Sequence, residues 1–153
     1  GHCHGHRCLY VAGRRLLVSG DQVLPTISPN VSVLSSAPDA DPLREFLASI
    51  ARLRGCAADT LVLPSHGRPF HGLHARLDDL QDHHLQQLDT LRAFCVEPHT
   101  AFEVLPAMFR RVPRGFHRLL ADGEAVAHLN YLCCSGVLER HLDAAGVARF
   151  VAP

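Results

Sequence analysis

Short aliphatic and β-branched runs alternate with turn-forming residues over the first part of the chain. "CLYVA" and "LLVSGD" flank "GRR", the pattern of two strands joined by a tight turn. "DQVLPTISPNVSVLSSAPDADP" then carries Pro25, Pro29, Pro38 and Pro42 among small polar residues and reads as a long functional loop. From Asp41 the period becomes helical. Asp41 is the expected N-cap and Pro42 the first helical residue; Leu43, Phe46, Leu47, Ile50 and Leu53 form one stripe, and Gly55 stops it. "TLVLPSHG" predicts a buried strand ending in a loop. A long helix follows over about Leu73 to Cys95, with Leu73, Leu77, Leu80, His84, Leu88, Leu91 and Cys95 spaced by three and four.

Pro98 interrupts the chain. "TAFE" at 100–103 is a capping box ahead of "VLPAMFRR", and "GEAVAHLNYLCCSG" predicts a second amphipathic helix closed by Gly136. "VLERHL", "DAAG" and "VARFVA" predict strand, turn and strand. Helices followed by a two-stranded ribbon form a winged-helix pattern. The expected organisation is therefore an α/β domain over 1–96 and a small winged-helix-like domain over 97–153. The pattern shows no internal repeat.

Composition narrows the partners more than the fold. The chain has 153 residues, 47% of them hydrophobic, as expected of a packed globule. Fifteen basic residues balance fifteen acidic ones, so no overall field draws the chain to nucleic acid or to an anionic membrane. Every basic residue is Arg, which excludes a catalytic lysine and suits a GC-rich genome. Cys56, Cys95, Cys133 and Cys134 sit in apolar contexts and no secretory leader or long apolar run occurs, so the cysteines read as reduced core thiols of a cytoplasmic protein. A chain beginning at Gly1 rather than Met implies processing or a fragment.

Twelve histidines are the unusual feature, since imidazole is the commonest metal ligand. Three positions place a ligand at the end of a strand or in the loop beyond it: His6 in "HGHRCLY", Asp21 in "LLVSGDQVL" and His66 in "LVLPSHGRPF". Loops at one edge of a sheet converge on the ligand site of an α/β fold. Imidazole and carboxylate suit zinc, and also iron or manganese, and a carboxylate can bridge two metals about 3.5–4 Å apart. Taken singly, "GD" after a strand is more often a turn, and "SHG" alone says less still. A local zinc knot of His2, Cys3, His4, His6 and Cys8 would close a tetrahedron poorly from one strand. His84, on the apolar stripe, reads as a core histidine, and Cys133–Cys134 as core filler.

Taken together, "GHxxGH" before "LYV", then "LLVSGD", then "VLPSHGRPF" resemble the second half of the metallo-β-lactamase-fold hydrolases. The likeness runs on through "GRPFHGLHARLDDL" and "HH" into the winged-helix appendage of one bacterial and mitochondrial branch. The resemblance implies the C-terminal half of an αββα sandwich and a two-zinc site. It makes His6 a ligand of one metal, Asp21 the catalytic bridging carboxylate, and His66 a ligand of the other. A metal-bound hydroxide would then attack an ester, thioester, lactam or phosphodiester. His83 matches a family histidine near the substrate mouth, and Arg68, just past the metal loop, is placed to hold a substrate anion. The chain departs from the pattern with Cys3 and His4 where Thr-Pro is common, Gln22 where His often follows the Asp, and Gln87 where this branch often has Arg.

The family's "HxHxDH" signature occurs nowhere in these residues. The expectation is a C-terminal part of a larger hydrolase, inactive alone, that pairs with a missing N-terminal segment or with another copy of itself. A small-molecule ester or thioester is the expected substrate, with Pro25 to Pro42 and the appendage as one wall of a pocket that favours a moderately large molecule over a small drug-like one. A nucleic-acid-processing role rests on Arg110, Arg111, Arg114 and Arg118, a basic cluster ahead of a helix that has Glu124 and no Arg for base readout. RNA therefore stands as the alternative substrate, and a non-catalytic assembly module as the alternative function; no membrane is expected.

Overall fold

A computed structural model of the chain describes residues 5–153. The chain divides into two compact units, Gly1–Asn30 with Arg44–His83, and Val31–Leu43 with His84–Pro153.

In the first unit, strands β1 (Leu9–Val11) and β2 (Leu16–Gly20) are joined by a 3₁₀ turn at Ala12–Arg14. They pair antiparallel, Tyr10 opposite Leu17 and Leu9 opposite Val18. Strand β3 (Leu61–Pro64) pairs parallel on the far side of β2, with Leu17 opposite Val62. Alternation sends opposite residues to the same face. Leu17 and Val62 are fully buried on one face, whereas Leu9 (62% exposed) and Val18 (40%) leave the other apolar and open. Helix α1 (Pro42–Leu53) buries Leu43, Phe46 and Ile50 from its predicted stripe.

Helix α2 spans Leu73–Phe94. Leu73, Leu77, Leu80, His84, Leu88, Leu91 and Cys95 are all buried, so the three- and four-residue spacing placed one continuous stripe inward over six turns or so.

The second unit adds a short helix α3 (Leu105–Met108), helix α4 (Phe116–Cys134) and the hairpin β4 (Glu139–Leu142) and β5 (Ala148–Val151). The capping box forms: Thr100 Oγ1 accepts from Glu103 N at 3.2 Å, and Glu103 Oε2 accepts from Thr100 N at 2.8 Å. Thr100 Oγ1 also donates to Glu103 Oε2 at 3.0 Å, and the two hydrogen bonds that this carboxylate accepts from Thr100, backbone first and hydroxyl second, are the main cause of a lowered Glu103 pKa. The helix it heads is only α3, because Thr100 to Val104 close as turns first. In the hairpin, Asp143 Oδ1 accepts from Ala145 N and Val147 N at 2.9 and 3.0 Å, an Asx turn that fixes the strand register.

Two expectations need correction. Helix α4 begins at Phe116, well before Gly123. Gly123 lies inside the helix because the chain at Ser32–Val33 crosses it there: Val33 N donates to Gly123 O at 3.1 Å, and a Cβ on Gly123 would lie 2.8 Å from Ser32 Cβ. Cys134 is exposed and only Cys133 is partly enclosed, since adjacent helical residues point about 100° apart. Cys8, Cys56, Cys95, Cys133 and Cys134 are free thiols. Among the described residues no helix is long and apolar enough to cross a membrane.

Candidate metal-ligating site

Strands β2 and β3 run parallel and release their following loops at the same end, where Gly20 pairs with Pro64. The register shifts between Val18 and Gly20, and the displaced Ser19 turns its hydroxyl inward to donate to Val23 O at 2.9 Å. A local bulge of this kind re-aims the residues after it. Asp21 comes next. From the β3 side, Ser65 N donates to Gly20 O at 3.1 Å and the Ser65 hydroxyl donates to Asp21 Oδ1. His66 Nε2 then stands 3.5 Å from that same carboxylate oxygen.

The Asp21 side chain is 30% exposed and that of His66 70%. The carboxylate is thus partly enclosed, while the imidazole remains open to solvent. Two close approaches fix the surroundings of the pair. A Cβ on Gly67 would lie 2.6 Å from Pro25 Cγ, so the turn after His66 rests directly on the loop after Asp21. A Cβ on Gly20 would lie 2.7 Å from His6 Nε2, so the end of β2 leaves room for the His6 ring.

The structure therefore brings Asp21 and His66 together and seats His6 against the residue before Asp21. Arg68 is exposed in the loop beyond His66. His83 is half-buried on α2, where burial first and the neighbouring Arg76 guanidinium second lower its pKa. Gln22 is buried and donates to Ser49 Oγ at 2.6 Å, so it anchors α1 to the β2 loop. His6, Cys8, Gln22, Ser49 and Arg52 line an adjoining cleft of about 640 Å³. His2, Cys3 and His4, the remaining members of a local zinc knot, lie outside the described residues.

Among the described residues no group of three or more His, Cys, Asp or Glu side chains is arranged to hold a metal. The donor set fits zinc in kind, a carboxylate with two imidazoles, and the space at Gly20 admits the His6 ring.

Ser65 and Arg76 have places at this site that sequence reasoning missed. Ser65 directly precedes His66 in "PSHG", a signal open to reading. Arg76, in "HARLDDL", carried none.

A family profile described as metallo-beta-lactamase-like, C-terminal domain, matches residues 88–153. A beta-lactamase domain protein from Burkholderia ambifaria has a solved structure that superposes over 100% of this chain with a TM-score of 0.96 and 43% sequence identity. The profile and this structure support the metallo-β-lactamase superfamily for the chain. A metallo-β-lactamase family protein from Thermus thermophilus is also similar, with 30% identity and a TM-score of 0.84 over 100% of this chain. The chain spans 46% and 47% of those two proteins, about half the length of these metallo-β-lactamase relatives. No curated protein matches the chain. Metals such as zinc are general to the superfamily.

Proposed function

We propose that the chain provides the Asp21–His66 side of the metal site of a metal-dependent hydrolase. The observation that carries this reading is the approach of His66 Nε2 to Asp21 Oδ1 at 3.5 Å, on loops leaving the same end of two parallel strands. Asp21, His66 and His6 would hold zinc. When bound, zinc supplies Lewis-acid polarisation of a carbonyl or phosphoryl oxygen and lowers the pKa of a water.

The chain's own residues do the rest. Ser65 holds one carboxylate oxygen of Asp21 and so fixes the orientation of the carboxylate. The half-buried His83, kept neutral by burial and by Arg76, offers a substrate a hydrogen bond without adding a charge. Arg68 meets a substrate anion in the loop beyond His66. An ester or thioester is the substrate class we favour, with lactam, phosphodiester and RNA as the other arms of an activity screen.

A second reading is favoured by the incomplete convergence of ligands among the described residues: alone, the chain is non-catalytic and is completed by a further segment of the same fold or by a second copy. The open Leu9–Val18 face supports a covering partner.

Zinc titration calorimetry on the full chain, with Asp21→Asn and His66→Ala, tests the proposal. Each variant is expected to lose at least about tenfold in affinity, the lower bound seen even for losing an outer-shell partner. Equal affinity in all three chains would sink it.

A further inference from the structure

We infer that Arg76 is a positioning residue for the Asp21–His66 pair, its guanidinium tying the Leu24–Ile27 span to helix α2. Arg76 Nε donates to Leu24 O at 2.7 Å and its Nη2 donates to Ile27 O at 2.9 Å. The side chain is only 14% exposed, and its contact with the exposed Asp79 is long, at 3.8 Å. The two carbonyls are therefore its close partners in these contacts. A cation withdrawn from water in this way must be matched by well-placed acceptors, and the span it holds is Pro-containing chain outside any helix or strand.

The held span bears on both members of the pair. It begins three residues after Asp21, and Pro25 within it is the surface against which Gly67, next to His66, is packed. Moving Leu24–Ile27 would release the loop carrying Asp21 and the support of the turn carrying His66 together. Only a planar fork reaches two carbonyls at once in fixed geometry; a lysine ammonium in its place keeps the charge and loses the fork. The charge has its own effect, since Arg76 stands near enough to His83 to disfavour the imidazolium.

The inference rests on reading Asp21 and His66 as ligands, but its first readout is independent of that reading. Amide exchange would be followed by NMR on the full chain and on Arg76→Lys and Arg76→Gln, with zinc calorimetry and the His83 titration on the same samples. The reporters are the amides of Gln22 and Ser65, which donate to Ser19 O and Gly20 O.

Both variants are expected to speed exchange at these two amides by about tenfold or more relative to the core amides of Leu77 and Leu80, and to weaken zinc binding by about tenfold. The His83 midpoint is expected to rise in Arg76→Gln and to stay in place in Arg76→Lys. Unchanged exchange at Gln22 and Ser65, or an equal rise at Leu77 and Leu80, would overturn the inference. If Arg76→Gln does not fold, Arg76→Lys alone decides it by the same exchange criterion. Failure of the wild-type chain to take up zinc at all would remove the metal reading and leave the exchange result to judge Arg76.

Discussion

His84 Nδ1 and His128 Nε2 stand 3.0 Å apart, with both rings fully buried in the second unit. His128 Nδ1 faces Glu124 O at 2.8 Å, and a carbonyl only accepts. His128 therefore carries its proton on Nδ1 and, when neutral, accepts at Nε2 from His84 Nδ1. The tautomers of both rings follow from one backbone oxygen.

Breaking this pair from one side strands a buried nitrogen. His84→Leu is expected to cost about 1–3 kcal/mol, the desolvation penalty of a buried group deprived of its hydrogen bond. The double variant with His128→Leu is expected to cost less than the sum of the singles, with a coupling of about 0.5–3 kcal/mol. Urea unfolding of the four chains measures it; strict additivity would show that the hydrogen bond contributes nothing.

Helix α2 was legible because its stripe is long: a periodicity sustained from Leu73 to Cys95 leaves one orientation that buries every position of the stripe, His84 included, while Leu85 and Phe94 off the stripe stay exposed. The approach of the Asp21 and His66 loops was legible because residues that end neighbouring strands need only the local order of the chain to be placed at one sheet edge. The start of α4 was not. Gly123 has the look of a boundary residue, since glycine disfavours helix interiors, and the reason for it is the Ser32–Val33 crossing far away in sequence. Arg76 was hidden for the same reason, its partners being carbonyls, which every residue type carries.

That crossing gives a prediction with a sign opposite to propensity. In an open helix, Gly→Ala gains about 1 kcal/mol. At Gly123 the new Cβ would lie 2.8 Å from Ser32 Cβ and 3.2 Å from Val33 O, so Gly123→Ala is expected to destabilise by about 1–3 kcal/mol. Ser32→Gly, which removes the closest atoms, should return part of that loss in the double variant. A stabilised Gly123→Ala in thermal denaturation would show that the strap at Ser32–Val33 does not press on α4.

The cysteines should differ sharply in reactivity. Burial first, and Cys133 second, push the Cys95 thiol up to about 11, whereas Cys134 is exposed at the end of α4. Because the thiolate is the nucleophile, iodoacetamide near neutral pH is expected to label Cys134 before the other cysteines among the described residues and to reach Cys95 only on unfolding. Peptide mapping by mass spectrometry reads the order, and early labelling of Cys95 would contradict its enclosure between α2 and the end of β5, where Ala152 N donates to Cys95 O at 2.7 Å.

His83 links the site to pH. Its pKa in the folded chain lies below the ordinary value of 6.5, through burial and then through Arg76. Above that value the ring is neutral whether the chain is folded or not, and it adds no pH dependence. As pH falls below it, the unfolded chain takes up the proton first, so ν for the unfolded state exceeds that of the folded state and stability declines. The decline continues until the lowered folded pKa is passed and is then constant. Replacing the ring by a non-titrating amide, His83→Gln, is expected to flatten this part of the profile. Urea midpoints compared at about pH 7.5 and about pH 5.5 should fall further in the wild-type chain than in His83→Gln. The other histidines, His84 and His128 among them, are common to both chains and cancel in the difference. Parallel profiles would mean that His83 is as easily protonated in the folded chain as in the unfolded one, and its proposed part as a neutral hydrogen-bonding group for substrate would fall with that result.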